Sequence, residues 1–415
     1  MKGLQGANRH PDRFLTVFKR ASDEEVPKLI RNEGDNIGSS MQMRFGAFLL
    51  SQASGDPAPG DVMRAGLRQV MLAEELGFDS VWLAEHHQST YCLVSDALTF
   101  ACYAAAATSS IRIGIGVSVL PLHHPLEIAE RATLVDILSG GRLVLGVGHG
   151  YSATEFRAYG LALESRRDRF EEALDVVLKC WNEERFDHDG KYWTLQDVAL
   201  QLRPVQSPHP QVLVATAGTP ESTARIAARG LPFILGDDFQ TPHKVADRIN
   251  TYRKSAAAAG LSDAAADVLV AESWLSLKVH IAGTTTEAKA EAGPHALWRH
   301  RKLHELQPSL EGPTLRAKTR SRVPGARMII NDPACKHFSE VTAEDMAKYD
   351  LFGTPEDLVS KIAEFHAVGV RNIICCFDFG GMPEMMVRRS MKLFATEVAP
   401  EFQGGTRLAK ASSKS

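Results

Sequence analysis

The chain is poor in the features that mark whole classes of protein. No apolar run in its 415 residues approaches the roughly 20 needed to span a bilayer. The N-terminus has no continuous apolar region of the secretory kind, so the cytoplasm is the expected compartment. The six cysteines (Cys92, Cys102, Cys180, Cys335, Cys375 and Cys376) show no CxxC spacing. Cys375 and Cys376 fall inside an apolar strand, and all six read as reduced thiols, with no zinc site and no disulfide framework. A net charge of −3 gives no reason to expect nucleic acid or an anionic membrane as partner. Gly-x-Ser-x-Gly, His-Glu-x-x-His and the Walker loop are all absent, so hydrolase and kinase readings have no support.

What is present is an ordinary globular composition, 44% hydrophobic and 23% charged, in a chain long enough for one large domain or two ordinary ones. Residues 1–40 are polar and irregular, with short helices expected from Asp12 to about Lys19 and after Pro27. They read as an N-terminal arm, loosely held or packed across a subunit interface. From Met41 the pattern becomes regular. Strands are expected at Met43–Leu49, Asp79–Leu83, Ile111–Val119, Arg142–Val147, Gln211–Ala215, Pro232–Leu235, Val268–Ala282 and Asn372–Phe377. Helix-length segments separate nearly all of them, among them Asp61–Leu76, Ala97–Thr108, Pro125–Leu138, Glu164–Trp181, Glu221–Arg229 and Pro242–Ala259. Asp189-Gly190 between two short strand-like runs predicts a hairpin over Phe186–Trp193. Regularity stops after Gly283 and resumes near Thr354, with helices Pro355–Val368 and Met382–Val398 around the last strand. Eight β/α units over residues 41–402 predict an α/β fold, a single (β/α)8 TIM barrel with a long insertion (284–350) after strand seven. Residues 403–415 read as a disordered tail. The alternative is a doubly wound open sheet, which divides more naturally into two domains.

In such a barrel the carboxyl ends of the strands face the active site. Strand two ends in Glu85-His86-His87, three titratable groups able to move protons near neutral pH. Strand one supplies Phe48, strand three leads into His123-His124-Pro125, and strand four into Gly148-His149-Gly150-Tyr151. No carboxylate follows the His123-His124 pair at ligand spacing, so it reads as loop histidines and no metal is expected. Gly146-Val147-Gly148-His149-Gly150 lacks the spaced glycine and prompt helix of a dinucleotide loop; its glycines suit a planar ligand lying close to the backbone. Thr216-Ala217-Gly218-Thr219-Pro220-Glu221-Ser222 runs from a strand straight into a helix. Unpaired N–H groups there, with the Thr219 and Ser222 hydroxyls, would hold a phosphate. A plain Thr cap explains the same residues.

Taken together, these residues resemble the bacterial luciferase-like flavin monooxygenase family over roughly Met43–Gly283 and Leu351–Phe402. The resemblance rests on Trp82-Leu83-Ala84-Glu85-His86-His87, Val119-Leu120-Pro121 with His124-Pro125, Ser139–Gly146, Gly150-Tyr151 and Phe352–Asp357. It implies a barrel that binds FMN at its carboxyl face through Phe48, Val117, His149, Tyr151, Ala217, Gly218, Thr219 and Ser222. It also implies a catalytic His86 oriented by Glu85 or His87. It further implies a two-component monooxygenase: a separate flavin reductase delivers reduced FMN, and O2 forms a C4a-(hydro)peroxide that oxygenates a small organic substrate. A homodimer is expected. His149 and Gly148 stand where bacterial luciferase has an arginine and a reactive cysteine, which argues against light emission. The insertion falls where luciferase has a mobile lid. Alignment on Leu120-Pro121 places the family's non-proline cis peptide between Gly116 and Val117. Two other readings stay open: an F420-dependent hydride-transfer enzyme of the same superfamily, and a non-enzymatic flavin-storage or partner-binding barrel.

Overall fold

The computed structural model describes residues 42–236, 239–306 and 341–403. The expectations for residues 1–40 and for the tail beyond Gln403 lie outside the described residues. In chain order the strands are β1 (Arg44–Leu49), β2 (Ser80–Leu83), β3 (Arg112–Val119), β4 (Leu143–Gly148), β5 (Phe186–Asp189) and β6 (Thr194–Val198). They continue with β7 (Gln211–Thr216), β8 (Phe233–Gly236), β9 (Trp274–Ile281), β10 (Leu351–Gly353) and β11 (Asn372–Asp378). Eight of these are parallel and close on themselves in the order β1-β2-β3-β4-β7-β8-β9-β11, β11 pairing back to β1. The expected (β/α)8 barrel is therefore the fold. β5 and β6 form the expected antiparallel hairpin outside the barrel, and β10 extends the far end of β9.

The local sequence accounts for the repeated strand–helix alternation. Barrel strands are covered on both faces, so they read as continuous apolar runs; every residue of β2 and of β4 is buried. Five of the intervening helices open with proline in the first turn, at Pro59, Pro125, Pro220, Pro242 and Pro355. The fixed φ of proline suits that position, and its missing N–H costs nothing there. Thr219, Thr241 and Thr354 cap three of these helices by accepting from a backbone N–H one turn in.

Two parts of the core position the site. A large one lies between strands and helices, and a small one fills the barrel with Trp82, Val144, Leu213, Ile234, Trp274 and Ile374. The Trp82 indole fits only because both neighbouring strands carry glycine beside it. A Cβ at Gly46 or Gly114 would lie 2.7 or 2.5 Å from the ring. Trp82 Nε1 donates to Ser80 Oγ (3.0 Å), which satisfies the one polar atom that burial would otherwise strand. This layer plugs the barrel and confines ligand space to its carboxyl end. There β3 shifts register against β4 between Ile115 and Ser118, and the Gly116–Val117 peptide is cis, as the alignment on Leu120-Pro121 predicts.

Two expectations fail in detail. The seventh barrel strand does not begin at Val268, because Asp263–Ala271 is a helix capped by Ser262, and β9 starts only at Trp274. Ala265, Ala266, Leu269 and Val270 are buried at helical spacing, a period that a short apolar run conceals. Nor is the stretch after Gly283 irregular up to Thr354. It opens with the 22-residue helix Thr285–Leu306 and ends with the helix Ala343–Tyr349. Pro294 reads as a helix breaker yet lies inside the first of these. Close packing outweighs it: Ala292, Gly293 and Ala296 are buried, and a Cβ on Gly293 would lie 2.9 Å from that of Ala343. Residues 307–340, the rest of the expected lid, lie outside the described residues.

Candidate active site

A cavity of about 360 Å³ opens at the carboxyl end of the barrel. Among the residues picked out from sequence, Phe48, Glu85, His86, Val117, His149, Tyr151, Ala217, Thr219 and Ser222 line it. His87 and Gly218 do not.

His86 follows β2 and is held on three sides. Its Nδ1 donates to Glu155 Oε1 (2.9 Å), and its Nε2 lies 3.2 Å from the Tyr151 hydroxyl. The Tyr91 ring packs edge-on against the imidazole at 4.9 Å. With the Nδ1 proton fixed on a carboxylate, Nε2 is left facing the cavity as the exchangeable position. Glu155 is 1% exposed, sits on the short helix Ala153–Ala158 capped by Ser152, and also accepts from the His87 backbone N–H (3.0 Å). The orienting partner is thus Glu155; neither Glu85 nor the His87 ring bonds to the His86 ring. Sequence gave no hint of this, because Glu155 lies 69 residues from His86 on an unremarkable helix.

Glu85 organises a second network behind the first. Its Oε1 accepts from His123 Nε2 (2.7 Å), His87 Nε2 (3.4 Å) and the Val119 N–H (3.2 Å). Burial works to raise its pKa, but the hydrogen bonds and charges of His123 and His87 bring it down to about 2. Glu85 is therefore an anion at neutral pH. His87 Nδ1 accepts from Tyr159 OH (3.0 Å), whose pKa is raised by burial and then by the charges of Glu85 and Glu155. Glu85, His87 and His123 bring one oxygen and two nitrogens within 4.8 Å of one another, a donor set of metal-binding type. Both imidazoles already engage the single Oε1, and hydrogen bonds alone satisfy the arrangement. Tertiary structure has supplied His123 with the carboxylate that its own segment lacks.

The opposite end of the cavity is cationic and rich in hydroxyls. β7 delivers Thr216, whose Oγ1 lies 2.8 Å from Ser222 Oγ in the first turn of the helix Pro220–Ala228. Thr219 caps that helix by accepting from Ser222 N (3.3 Å). The Gly218 N–H bonds to Thr216 Oγ1 (2.9 Å), so it stabilises the turn and is not directed into the cavity as expected. Arg166 and Arg167 reach the same end from the helix Arg166–Asn182, and Arg225 lines the adjoining small pocket. The Arg166 Nε is buried without a hydrogen-bond partner, and burial followed by Arg167 depresses its pKa. A donor left this way needs an acceptor. His149 donates through Nδ1 to Gly150 O (2.7 Å); burial, then Arg166, Arg167 and Arg225, lowers its pKa to about 4 against that hydrogen bond. It is neutral at pH 7 and leaves the positive charge to the arginines. The sequence signal for this end is the Arg166-Arg167 pair that opens a helix, a signal that no strand-end reading includes.

Between the two ends the walls are apolar, formed by Phe48, Val117, Ala215, Ile234 and Ile374. A Cβ on Gly116 would lie 3.2 Å from the Phe48 ring, and one on Gly148 would lie 2.8 Å from Val117. Glycine at both places thus keeps the floor flat. A phosphorylated flavin fits this order of surfaces: cationic end, flat apolar floor, histidine at the far side.

Fold and site together define a (β/α)8 barrel that joins a histidine–glutamate pair and an arginine-rich end in one cavity. Residues 43–372 match the luciferase-like monooxygenase family, and the chain belongs to it. It is a flavin-dependent monooxygenase of the luciferase-like type. Limonene 1,2-monooxygenase of Rhodococcus erythropolis is 28% identical over 372 residues, 87% of each chain. The uncharacterised protein y4vJ of Sinorhizobium fredii is 36% identical over 178 residues, 43% of this chain and about half (51%) of that relative. Among solved structures, the monooxygenase RslO1 of Streptomyces bottropensis superposes with a TM-score of 0.71 at 26% identity. It covers 87% of this chain and 100% of its own. No helix among the described residues is long and apolar enough to cross a membrane.

Proposed function

We propose that this protein oxygenates a small organic substrate with O2 and reduced FMN delivered by a separate flavin reductase. The observation that carries this reading is the joining, in one cavity, of the arginine-rich end and the His86–Glu155 pair across an apolar floor. Thr219, Ser222, Arg166 and Arg167 hold the phosphate, and the orphaned Arg166 Nε gains an acceptor. Phe48, Val117 and Ala215 carry the ring system and exclude water from its face. Bound reduced flavin supplies the electrons that activate O2, through the C4a chemistry implied by the family resemblance. His86 Nε2 gives or takes the proton at the reacting centre while Glu155 holds the imidazole by Nδ1. Tyr151, 40% exposed at the rim, covers that nitrogen until substrate enters.

The test is rapid mixing of the reduced FMN-loaded protein with oxygen. Bound flavin reoxidises in a delayed second phase that free flavin lacks, and His86→Ala slows proton-dependent decay by roughly 10²-fold or more. Reoxidation indistinguishable from free flavin would leave only a flavin-storage barrel. The cationic end suits any phosphorylated flavin, so parallel titration with F420 belongs to the same experiment. Tight F420 binding with weak FMN binding would move the reading to hydride transfer. A homodimer is part of the proposal, supported by Tyr103, Leu134 and Leu138 exposed on the adjacent helices Ala97–Ala107 and Pro125–Ser139. Sedimentation velocity measures it.

A further inference from the structure

The cavity has a second charged end that the flavin phosphate does not explain. β9 and β11 stand across the barrel from β3 and β4, so their side chains face the floor from the side away from the arginine pair. From β9 comes Lys278, 4% exposed, with Nζ 3.1 Å from Asp350 Oδ1. Asp350 is equally buried and follows the helix Ala343–Tyr349. Arg299 enters from the helix Thr285–Leu306, its Cζ 5.7 Å from the centre of the Tyr91 ring. That ring is the one packed edge-on against His86, so Arg299 stands one aromatic ring away from the proton-handling nitrogen. Lys278, Arg299 and Asp350 all line the cavity, beside Leu303 and Cys376. Cys376 reports their proximity: burial pushes its thiol up to about 12, with Arg299 and Lys278 pulling it down and Asp378 and Asp350 pushing it up.

A buried Lys–Asp pair is a poor device for stability, since well-packed apolar residues of similar volume commonly do as well or better. Its place in the wall of an otherwise apolar cavity calls for a ligand. A guanidinium offers five N–H donors in a fixed fork, so it can serve a ligand while keeping a protein partner.

We propose that the substrate carries an anionic group, a carboxylate or an acidic enol or phenol, and that Arg299 and Lys278 bind it beside His86. The proposal rests on the flavin reading above, because that reading leaves this end of the cavity to the substrate. Arg299 acts as a specificity residue: it fixes the charged end and thereby sets which part of the molecule lies over the flavin floor.

The test uses the full chain saturated with FMN, which occupies the arginine-rich end, and compares benzoate with neutral benzamide of the same shape by calorimetric titration. Benzoate binds at least about 10-fold more tightly, the factor expected of a charge-assisted hydrogen bond. Arg299→Gln brings the two within about threefold, and Arg299→Lys restores most of the preference. FMN affinity stays unchanged in both variants. Equal binding of the two probes, no benzoate binding, or a preference that survives Arg299→Gln overturns the proposal. A loss of FMN affinity in Arg299→Gln overturns it as well, by giving the arginine to the flavin. Failure of the parent protein to bind FMN at all sinks the flavin reading instead, a separate result read in the same titrations.

Discussion

Glu85→Gln is the substitution with the most informative pH dependence. In the native protein the Glu85 carboxyl is held at about 2, against an ordinary value of 4.5. A depressed carboxyl stabilises the fold above its unfolded pKa, and that contribution is lost as pH falls through the native one. The window therefore runs from about 4.5 down to about 2. That depression corresponds to about 3 kcal/mol in full, with little solvent screening because the group is 4% exposed. Glutamine keeps the shape and one acceptor but removes the charge from between His87 and His123. Urea unfolding of parent and variant at pH 7, 5.5, 4.5 and 3.5 measures the difference in stability. It should be about 3 kcal/mol at neutral pH and shrink to about 2 kcal/mol by pH 3.5. A difference that stays constant over that range would refute the argument. It would mean that the variant suffers from altered packing and that the ionised carboxylate contributes nothing special.

Three further outcomes are expected. Thr219→Val combined with Ser222→Ala weakens FMN binding by roughly 1.5–3 kcal/mol, the worth of hydrogen bonds to a charged group; fluorescence titration giving the parent affinity would place the phosphate elsewhere. Trp82→Ala removes the fully buried ring from between Gly46 and Gly114 and costs about 3–5 kcal/mol in thermal or urea unfolding. A much smaller loss would show that the barrel interior collapses onto the gap. Glu155→Gln keeps the partner's size but weakens the hold on His86 Nδ1, so the reoxidation kinetics of bound flavin change while FMN affinity does not. If affinity falls instead, Glu155 supports the pocket and does not position the histidine.

The sequence by itself determined the barrel, because both of its signals are local. Doubly covered parallel strands demand short unbroken apolar runs such as β2 and β4. Helix starts are written in proline and threonine, as at Thr219-Pro220 and Thr354-Pro355. The candidate residues at strand ends were legible for the same reason: Glu85, His86, Tyr151, Thr216, Thr219 and Ser222 line the cavity at that face, whereas His87 and Gly218 turn away from it. Local signals misled where packing outweighed them, in the Ala-rich helix Asp263–Ala271 and in the helix that holds Pro294. Only the tertiary structure decided who partners whom. Glu155 reaches His86 across 69 residues, and His123 reaches Glu85 across 38. Arg166 shares the cavity with a turn some fifty residues further along; Asp350 pairs with Lys278 and Arg299 lines the cavity beside them, both from the stretch after Gly283 where sequence regularity stops. A hydrogen bond leaves no periodic trace in sequence. Its partners are chosen by the closure of the barrel, which brings side chains from distant loops and helices within 3 Å of one another at the rim where the active-face loops converge.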